Sequence, residues 1–206
     1  SGDDRDFLSA HGCTSVGLGR SVASLFLSGP INRSVSRGGS GPRRYGDCVL
    51  SGHMTETSTP STAVIVLAAG AGTRMKSKTP KILHSLAGRT LVGHALHGAA
   101  GIDPSDLIAV VGHERERVTA AVTEIGAHLA CTVSVAVQEQ PLGTGDAARA
   151  GLAGLPDDFA GTVVVTAADV PLLDAATLRA LVATHTADGG AGVTLTSFIA
   201  DDPTGY

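Results

Sequence analysis

The positively charged side chains best placed for chemistry follow a short glycine-rich turn. Residues 68–72 read Ala-Ala-Gly-Ala-Gly, and all three lysines of the chain, Lys76, Lys78 and Lys81, come soon after them, beside Arg74. A turn without bulky side chains lets backbone N–H groups approach a ligand closely. Because the chain carries a net charge of -4, cations gathered beside such a turn indicate a polyphosphate site. A solvated, lysine-rich loop is the alternative.

Two better-known phosphate-binding motifs do not fit this turn. A Walker A loop requires Gly-Lys-Ser/Thr after a glycine and four further residues, and neither Gly70 nor Gly72 is followed in this way. A dinucleotide fingerprint that starts at Gly70 requires glycine or alanine at position 75, which is Met75. The turn therefore indicates a different class of phosphate-binding loop.

A lone carboxylate follows another apolar segment later in the chain. Residues 162–166 read Thr-Val-Val-Val-Thr, and Asp169 comes just after them. Open α/β sheets bind ligands at the carboxyl ends of their strands, where a carboxylate suits Mg²⁺ bridging phosphates. From the residues alone, a structural role for Asp169 in the turn before Pro171 explains the position equally well.

A glutamine and, a few residues later, a glycine follow the third predicted strand. Gln138 ends that strand, and a helix opens after it at Gly143 and Thr144. A glutamine amide donates and accepts at once, which matches the neighbouring acceptor and N–H of uracil. The stretch also fits Gly143-x-Gly145-x-x-Ala148, so a dinucleotide-dependent dehydrogenase is an alternative. It is the weaker one, because that fingerprint belongs directly after the first strand of a βαβ unit.

Strands and helices must alternate to bring these groups together. Continuous apolar runs are typical of strands buried on both faces of a parallel sheet, and helical periodicity separates them. The pattern favours an α/β fold, a mostly parallel sheet flanked by helices. The predicted strands are 64–67, 107–112, 132–137, 162–166 and 192–199, and the predicted helices begin near 90, 113, 144 and 174.

Composition bounds the remaining function classes. The chain has 206 residues, of which 43% are hydrophobic, with a mean hydropathy of +0.22, enough for the core of one domain. A net charge of -4 and 3% aromatic residues disfavour nucleic-acid binding. Three scattered cysteines indicate neither a disulfide framework nor a zinc site. Apolar runs are too short for membrane spans, so we expect a cytoplasmic protein.

The first 53 residues differ in kind from the rest. They contain no methionine or lysine and are rich in serine, glycine and arginine. Such composition is typical of disorder. The first methionine, Met54, comes shortly before the first predicted strand. We therefore expect residues 1–53 to be a disordered or non-native leader and the natural domain to occupy 54–206.

Together the motifs resemble a known family. Residues 67–75 read Leu-Ala-Ala-Gly-Ala-Gly-Thr-Arg-Met, with Pro80-Lys81 behind them and Asp169-Val-Pro-Leu later. In this order they resemble the sugar-nucleotide pyrophosphorylases. More narrowly, they resemble the uridyltransferase half of the bifunctional N-acetylglucosamine-1-phosphate uridyltransferase/glucosamine-1-phosphate acetyltransferases (the GlmU family). Ala69 favours the narrower family, because the hexose-phosphate relatives usually read Leu-Ala-Gly-Gly here.

The resemblance implies a Rossmann-like nucleotidyltransferase domain. Its reaction transfers UMP from UTP to N-acetylglucosamine-1-phosphate, giving UDP-N-acetylglucosamine and pyrophosphate, with Mg²⁺ as cofactor. As catalytic residues, Arg74 is expected to hold the triphosphate and Lys81 the α-phosphate and sugar phosphate. Asp169 is the expected Mg²⁺ ligand. The implied nucleotide-binding residues are Leu67, Ala68, Ala69, Gly70, Gly72, Thr73, Gln138, Gly143 and Thr144.

The resemblance covers residues 62–206 and only the front part of the family's first domain. The family continues past position 206 with sugar contacts, a second metal ligand and an acyltransferase domain. Through that domain its members form homotrimers that serve peptidoglycan and cell-wall biosynthesis. We therefore expect a domain truncated at its C-terminal side that is inactive alone, and the alternative is a non-catalytic nucleotide-binding fragment.

Two positions depart from the family pattern. Ala168 stands where the family usually has glycine, so its methyl group is expected to crowd the sugar phosphate. Asp146 stands where the family often has histidine, which is expected to add negative charge near the nucleotide.

Overall fold

The computed structural model describes residues 14–17, 25–28, 61–72, 75–187 and 192–197. Nine strands and four α-helices occur in these residues. The strands are β1 Thr14–Gly17, β2 Leu25–Ser28, β3 Ser61–Ala68, β4 Ser85–Leu86, β5 Arg89–Thr90, β6 Asp106–Val111, β7 Val133–Val137, β8 Gly161–Ala167 and β9 Val193–Ser197. The helices are α1 Leu91–Ala100, α2 Arg115–Gly126, α3 Thr144–Ala153 and α4 Ala175–Ala187.

Seven of the strands form one sheet, in the order β1-β9-β2-β8-β3-β6-β7. The central strand β3 pairs in parallel with β6 on one side and β8 on the other, and β6 pairs in parallel with β7. Because the chain moves outward from β3 to β7 and then returns to β8, the strand order reverses beside β3. Open α/β sheets bind ligands at such a reversal.

The central strand is buried on both faces, as its continuous apolar run predicts. Val64 and Val66 face one side and pack with residues of α1, α2 and α4, whereas Ala63 and Ile65 face the other side and pack with α3. Alternation of side chains along a strand produces these two half-cores. The predicted α/β fold, with a parallel sheet flanked by helices, is confirmed.

Side-chain caps fix the starts of two helices. The Thr90 hydroxyl accepts a hydrogen bond from the backbone N–H of Gly93 at 3.1 Å at the start of α1. The Asp174 carboxylate accepts one from the N–H of Thr177 at 2.8 Å, before α4. This bond is the main reason that the pKa of Asp174 is lowered. Both interactions stabilise N–H groups that a helix start leaves unpaired.

Two short strands lie within the predicted leader. Strand β2 is antiparallel to both β8 and β9, and β1 is parallel to β9. The backbone of these eight residues joins the sheet, and the disordered or non-native character of the leader stays a prediction. The rest of residues 1–53 lies outside the described residues, and the boundary at Met54 stays a prediction.

No helix in the described part of the chain combines the length and apolar character needed to cross a membrane.

Candidate functional site

The carboxyl ends of the four parallel strands β3, β6, β7 and β8 open into one cleft of about 800 Å³. All three sequence motifs contribute to its lining, although they are separated along the chain. The cleft is at the edge where strand reversal predicts a ligand site. Its lining is Leu67, Ala69, Gly70, Ala71, Gly72, Met75, Lys81, Ile82, Gly112, His113, Gln138, Glu139, Pro141, Gly143, Thr144, Ala147, Ala167 and Asp169.

The small residues after β3 form one wall of the cleft. Leu67, Ala69, Gly70 and Gly72 line it, as the sequence predicts. A Cβ atom added to Gly70 meets no other atom within 4 Å, so the backbone there is open. Ala68 is different, because its side chain is buried in the core and does not line the cleft. Alternation along β3 turns it inward between two lining residues.

Glycine at position 72 allows the turn to pack against the stem of Lys81. Gly72 has a φ of +59°, and an added Cβ would lie 2.6 Å from the Cβ of Lys81. Lys81 itself starts a 3-10 turn directly after Pro80. On its other side the loop is held by Arg117 of α2, which donates to the backbone carbonyl of Lys78 at 3.1 Å. These contacts fix the position from which Lys81 reaches into the cleft.

The end of the Lys81 side chain contacts the carboxylate of Asp169 across the cleft. Lys81 Nζ lies 2.6 Å from Asp169 Oδ2, although the two residues are 88 positions apart in sequence. Each side chain is 39% exposed, so both groups remain accessible to a ligand. The two residues that the family resemblance assigns to phosphate and to Mg²⁺ thus lie together at one point of the cleft.

The carboxylate of Asp169 is suited to a divalent metal ion, such as Mg²⁺, that is shared with phosphates. Mg²⁺ usually takes one or two carboxylates from the protein and completes its shell with water and substrate phosphates. Asp169 offers one carboxylate on the cleft wall. Within the described ranges, no group of three or more acidic, histidine or cysteine side chains forms a metal cage. The site therefore suits a metal that arrives with a polyphosphate.

The far end of the cleft carries the predicted base-binding residues. Gln138, Gly143 and Thr144 all line it. Gln138 Nε2 donates to the carbonyl oxygen of Gly143 at 3.1 Å and to Asp146 Oδ2 at 2.9 Å. Gly143 has a φ of +103°, a conformation that side chains disfavour, and it directly precedes helix α3.

The two departures from the family pattern differ in outcome: the expected crowding by Ala168 is wrong, whereas the carboxylate of Asp146 does lie beside Gln138, the predicted base-binding residue. Ala168 is fully buried and packs in the core, so its methyl group points away from the cleft. The carboxylate of Asp146 is not part of the lining and is paired with Arg149 and Gln138. The hydrogen bond from Gln138, and then the one from Arg149, lower the pKa of Asp146. Its charge is thus balanced by neighbouring donors.

Some site residues were missed by the sequence, and two predicted ones cannot be placed. His113 and Glu139 line the cleft just after β6 and β7. Their positions after predicted strands were the available signal, but the charged residues 114–117 that follow His113 also suit a solvated helix start. Thr73 and Arg74 lie outside the described residues, so their roles stay predictions.

The dinucleotide alternative has the wrong position in the fold. Its glycines, Gly143 and Gly145, follow the edge strand β7 and lie at the start of α3. The fingerprint requires the turn directly after the first strand of the unit, which is β3 here. The residues after β3 do not match it.

The fold and cleft define a nucleotidyltransferase type of domain, and comparison with known proteins identifies its family. Residues 64–200 match the family model described as the MobA-like NTP transferase domain. The chain therefore belongs to that family.

Among individual proteins, the chain is similar to the bifunctional protein GlmU of several bacteria. It is 59% identical to the Rhodococcus opacus (strain B4) protein over 146 residues, which are 70% of this chain and 29% of that protein. It is 55% identical to the Mycobacterium sp. (strain KMS) protein over 150 residues, 73% of this chain and 30% of that protein. The resemblance drawn from the motifs is confirmed, and the chain spans less than a third of these relatives' length.

Solved structures show more distant similarity. Rv0371C of Mycobacterium tuberculosis H37Rv, in complex with manganese, is 26% identical, with a TM-score of 0.49 over 68% of this chain and 71% of that chain. A nucleotidyl transferase from Methanothermobacter is 22% identical, with a TM-score of 0.49 over 59% of this chain and 56% of that chain.

Proposed function

We propose that this chain provides the UTP-binding and metal-binding part of a uridyltransferase site. The reaction transfers UMP from UTP to N-acetylglucosamine-1-phosphate and gives UDP-N-acetylglucosamine and pyrophosphate. The observation that carries the proposal is the ion pair of Lys81 and Asp169 opposite the open backbone after β3. The charge of Lys81, a metal ion held by Asp169 and the open backbone N–H groups would all favour the phosphates of a nucleotide.

In this reaction a phosphate oxygen of the sugar phosphate attacks the α-phosphorus of UTP. A new P–O bond forms while the bond to the β-phosphate breaks, and pyrophosphate leaves. Such a step needs alignment and charge neutralisation more than covalent assistance. Lys81 supplies a positive charge for the α-phosphate and the incoming sugar phosphate. Bound Mg²⁺, held by Asp169 and phosphate oxygens, would neutralise charge on the triphosphate.

The backbone and the far end of the cleft position the rest of the nucleotide. The glycine turn after β3 leaves room for phosphates against its N–H groups, and Gly70 has nothing within 4 Å of an added Cβ. Gln138, Gly143 and Thr144 form the nucleoside end, as the resemblance implies. A cleft of about 800 Å³ has room for a nucleoside triphosphate. Arg74 as a triphosphate ligand, a cytoplasmic location and a homotrimeric full-length protein stay predictions of the resemblance.

The test compares Lys81→Ala with Lys78→Ala. Lys78 is also exposed but does not line the cleft, so it controls for loss of a nearby cation. We expect Lys81→Ala to weaken binding of UTP with Mg²⁺ by at least about tenfold, as measured by calorimetry, and Lys78→Ala to change it less than about threefold. Urea unfolding should change by less than about 1 kcal/mol in both, because an exposed ion pair contributes little.

Equal affinities of the two variants would refute the role of Lys81. Pyrophosphate release with UTP, Mg²⁺ and N-acetylglucosamine-1-phosphate then separates the two forms of the proposal. Release shows a complete transferase, whereas UTP binding without release shows a nucleotide-binding module. Binding of NADH in place of UTP would overturn both.

A further inference from the structure

The neighbours of Gln138 permit only one orientation of its side-chain amide. Its Nε2 atom lies 3.1 Å from the carbonyl oxygen of Gly143 and 2.9 Å from Oδ2 of Asp146. A carbonyl and a carboxylate only accept hydrogen bonds, so the NH₂ end must face both of them. The two N–H groups of the amide are thereby used. Its oxygen, Oε1, is the atom left for a ligand in the cleft that Gln138 lines.

Asp146 is itself held in place for this contact. Its other carboxylate oxygen, Oδ1, accepts a hydrogen bond from Arg149 at 2.5 Å, and its side chain is only 16% exposed. The two donors lower the pKa of the Asp146 carboxyl, so that it is ionised at neutral pH and can only accept. Helix α3 carries both Asp146 and Arg149, so the acceptor lies on a rigid element.

We propose that Asp146 is a positioning residue that turns the oxygen of the Gln138 amide toward the bound base, and so selects a pyrimidine with N–H at position 3. This inference rests on the proposed function, because it takes the base to lie at Gln138. Uracil donates from N3, whereas the N3 of cytosine is a bare acceptor. With Oε1 fixed, the N3–H of uracil donates a hydrogen bond to it. The N3 of cytosine is itself an acceptor and gains no hydrogen bond from Oε1. To offer its exocyclic amino group instead, cytosine must shift along the cleft.

Without Asp146, only the carbonyl of Gly143 would hold the amide. The amide could then rotate and present its NH₂ group, which suits the N3 of cytosine. The preference between the two bases, and not only the overall affinity, therefore depends on Asp146. Loss of one well-placed hydrogen bond, with an acceptor left unpaired, corresponds to a change of about tenfold or more in affinity.

The experiment measures dissociation constants of UTP and CTP, each with Mg²⁺, for the whole 206-residue chain by calorimetry. We expect the unmodified protein to bind UTP at least about tenfold more tightly than CTP. Asp146→Ala should reduce this preference to about threefold or less. Asp146→Asn, made together with Arg149→Ala so that no second donor competes for its single carbonyl oxygen, keeps an acceptor for Gln138 and should restore most of it. Arg149→Ala leaves the bond between Asp146 and Gln138 in place and should reduce the preference much less than Asp146→Ala does.

A second measurement checks the position of the amide directly. The side-chain N–H resonances of Gln138, recorded by ¹⁵N-correlated NMR without nucleotide, should shift in Asp146→Ala and much less in Arg149→Ala. If Asp146→Ala is less stable, the same Gln138 resonances are compared in Asp146→Asn, which serves as the folded variant.

The outcomes separate this inference from the proposed function. An Asp146→Ala protein that keeps the full preference for UTP overturns the positioning role. Equal binding of UTP and CTP by the unmodified protein overturns the inference but leaves nucleotide binding intact. An unmodified protein that binds neither nucleotide overturns the proposed function as well.

Discussion

Substitution of Gly72 by alanine tests how the glycine turn positions Lys81. The added Cβ would lie 2.6 Å from the Cβ of Lys81, whereas ordinary contacts begin at 3.4 Å. The obstructing atom belongs to the rigid stem of Lys81, so the turn or the 3-10 segment must move by about 0.8 Å. That movement is enough to disturb the 2.6 Å contact between Lys81 and Asp169.

The magnitude follows from two separate costs. An alanine held at a φ of +59° costs about 1 kcal/mol relative to glycine. Relief of the overlap costs about 1–2 kcal/mol more, as in other overpacked sites. We therefore expect Gly72→Ala to lower the free energy of unfolding by about 2–3 kcal/mol. We also expect binding of UTP with Mg²⁺ to weaken by about tenfold or more, because charged groups misplaced by about 1 Å lose much of their effect.

Gly70→Ala is the matched control for stability. It adds the same methyl group two residues earlier, in the same turn, with nothing within 4 Å. We expect its free energy of unfolding to stay within about 0.5 kcal/mol of the unmodified protein. Urea unfolding and calorimetric titration with UTP provide the two readouts. If Gly72→Ala proves as stable as Gly70→Ala, the close packing of Gly72 on Lys81 is refuted.

Two further predictions concern the scaffold and its pH dependence. In α3, Gly151→Ala places a Cβ in overlap with the side chain of Ile65 and should lower the free energy of unfolding in urea by about 1–3 kcal/mol. Gly145→Ala in the same helix meets no atom within 4 Å and should not destabilise the protein. Equal effects of the two substitutions would contradict the packing of α3 on β3. Burial lowers the pKa of His185 below its ordinary 6.5. As the pH falls below 6.5, the unfolded chain therefore binds a proton that the folded chain resists, and stability should decrease by less than about 1.4 kcal/mol per pH unit. Between pH 7.5 and 5.5, the free energy of unfolding should decrease less for His185→Gln than for the unmodified protein. An equal decrease in the two proteins would exclude His185 as the source of the pH dependence.

Local sequence patterns were sufficient for the fold class, and together with the family resemblance they predicted half of the cleft lining. Buried parallel strands need continuous apolar residues, and β3 and β8 have them, so both were predicted. The open turn after β3 was predicted from its small side chains alone. Gln138 and Asp169 were candidates because they follow strands, and strand ends meet at one edge in a parallel sheet, but only the family resemblance favoured a binding role for them.

Other features depend on which way a side chain points or which distant residue it meets. Ala68 is a predicted nucleotide-binding residue, but the alternation of β3 buries its side chain, so any contact with the ligand is left to its backbone. Ala168 was expected to face the cleft and instead packs in the core. The hydrogen bond between Gln138 and Asp146 depends on how α3 follows β7, which no local pattern specifies.

The sequence by itself determined that apolar strands alternate with helices and that cations and glycines lie at a strand end, because these are properties of neighbouring residues. The tertiary structure alone decided that Lys81 meets Asp169 across 88 positions of chain. It also decided that β2 lies between β8 and β9. Such pairings depend on the order and register of strands in the sheet, and contacts between distant segments set that order.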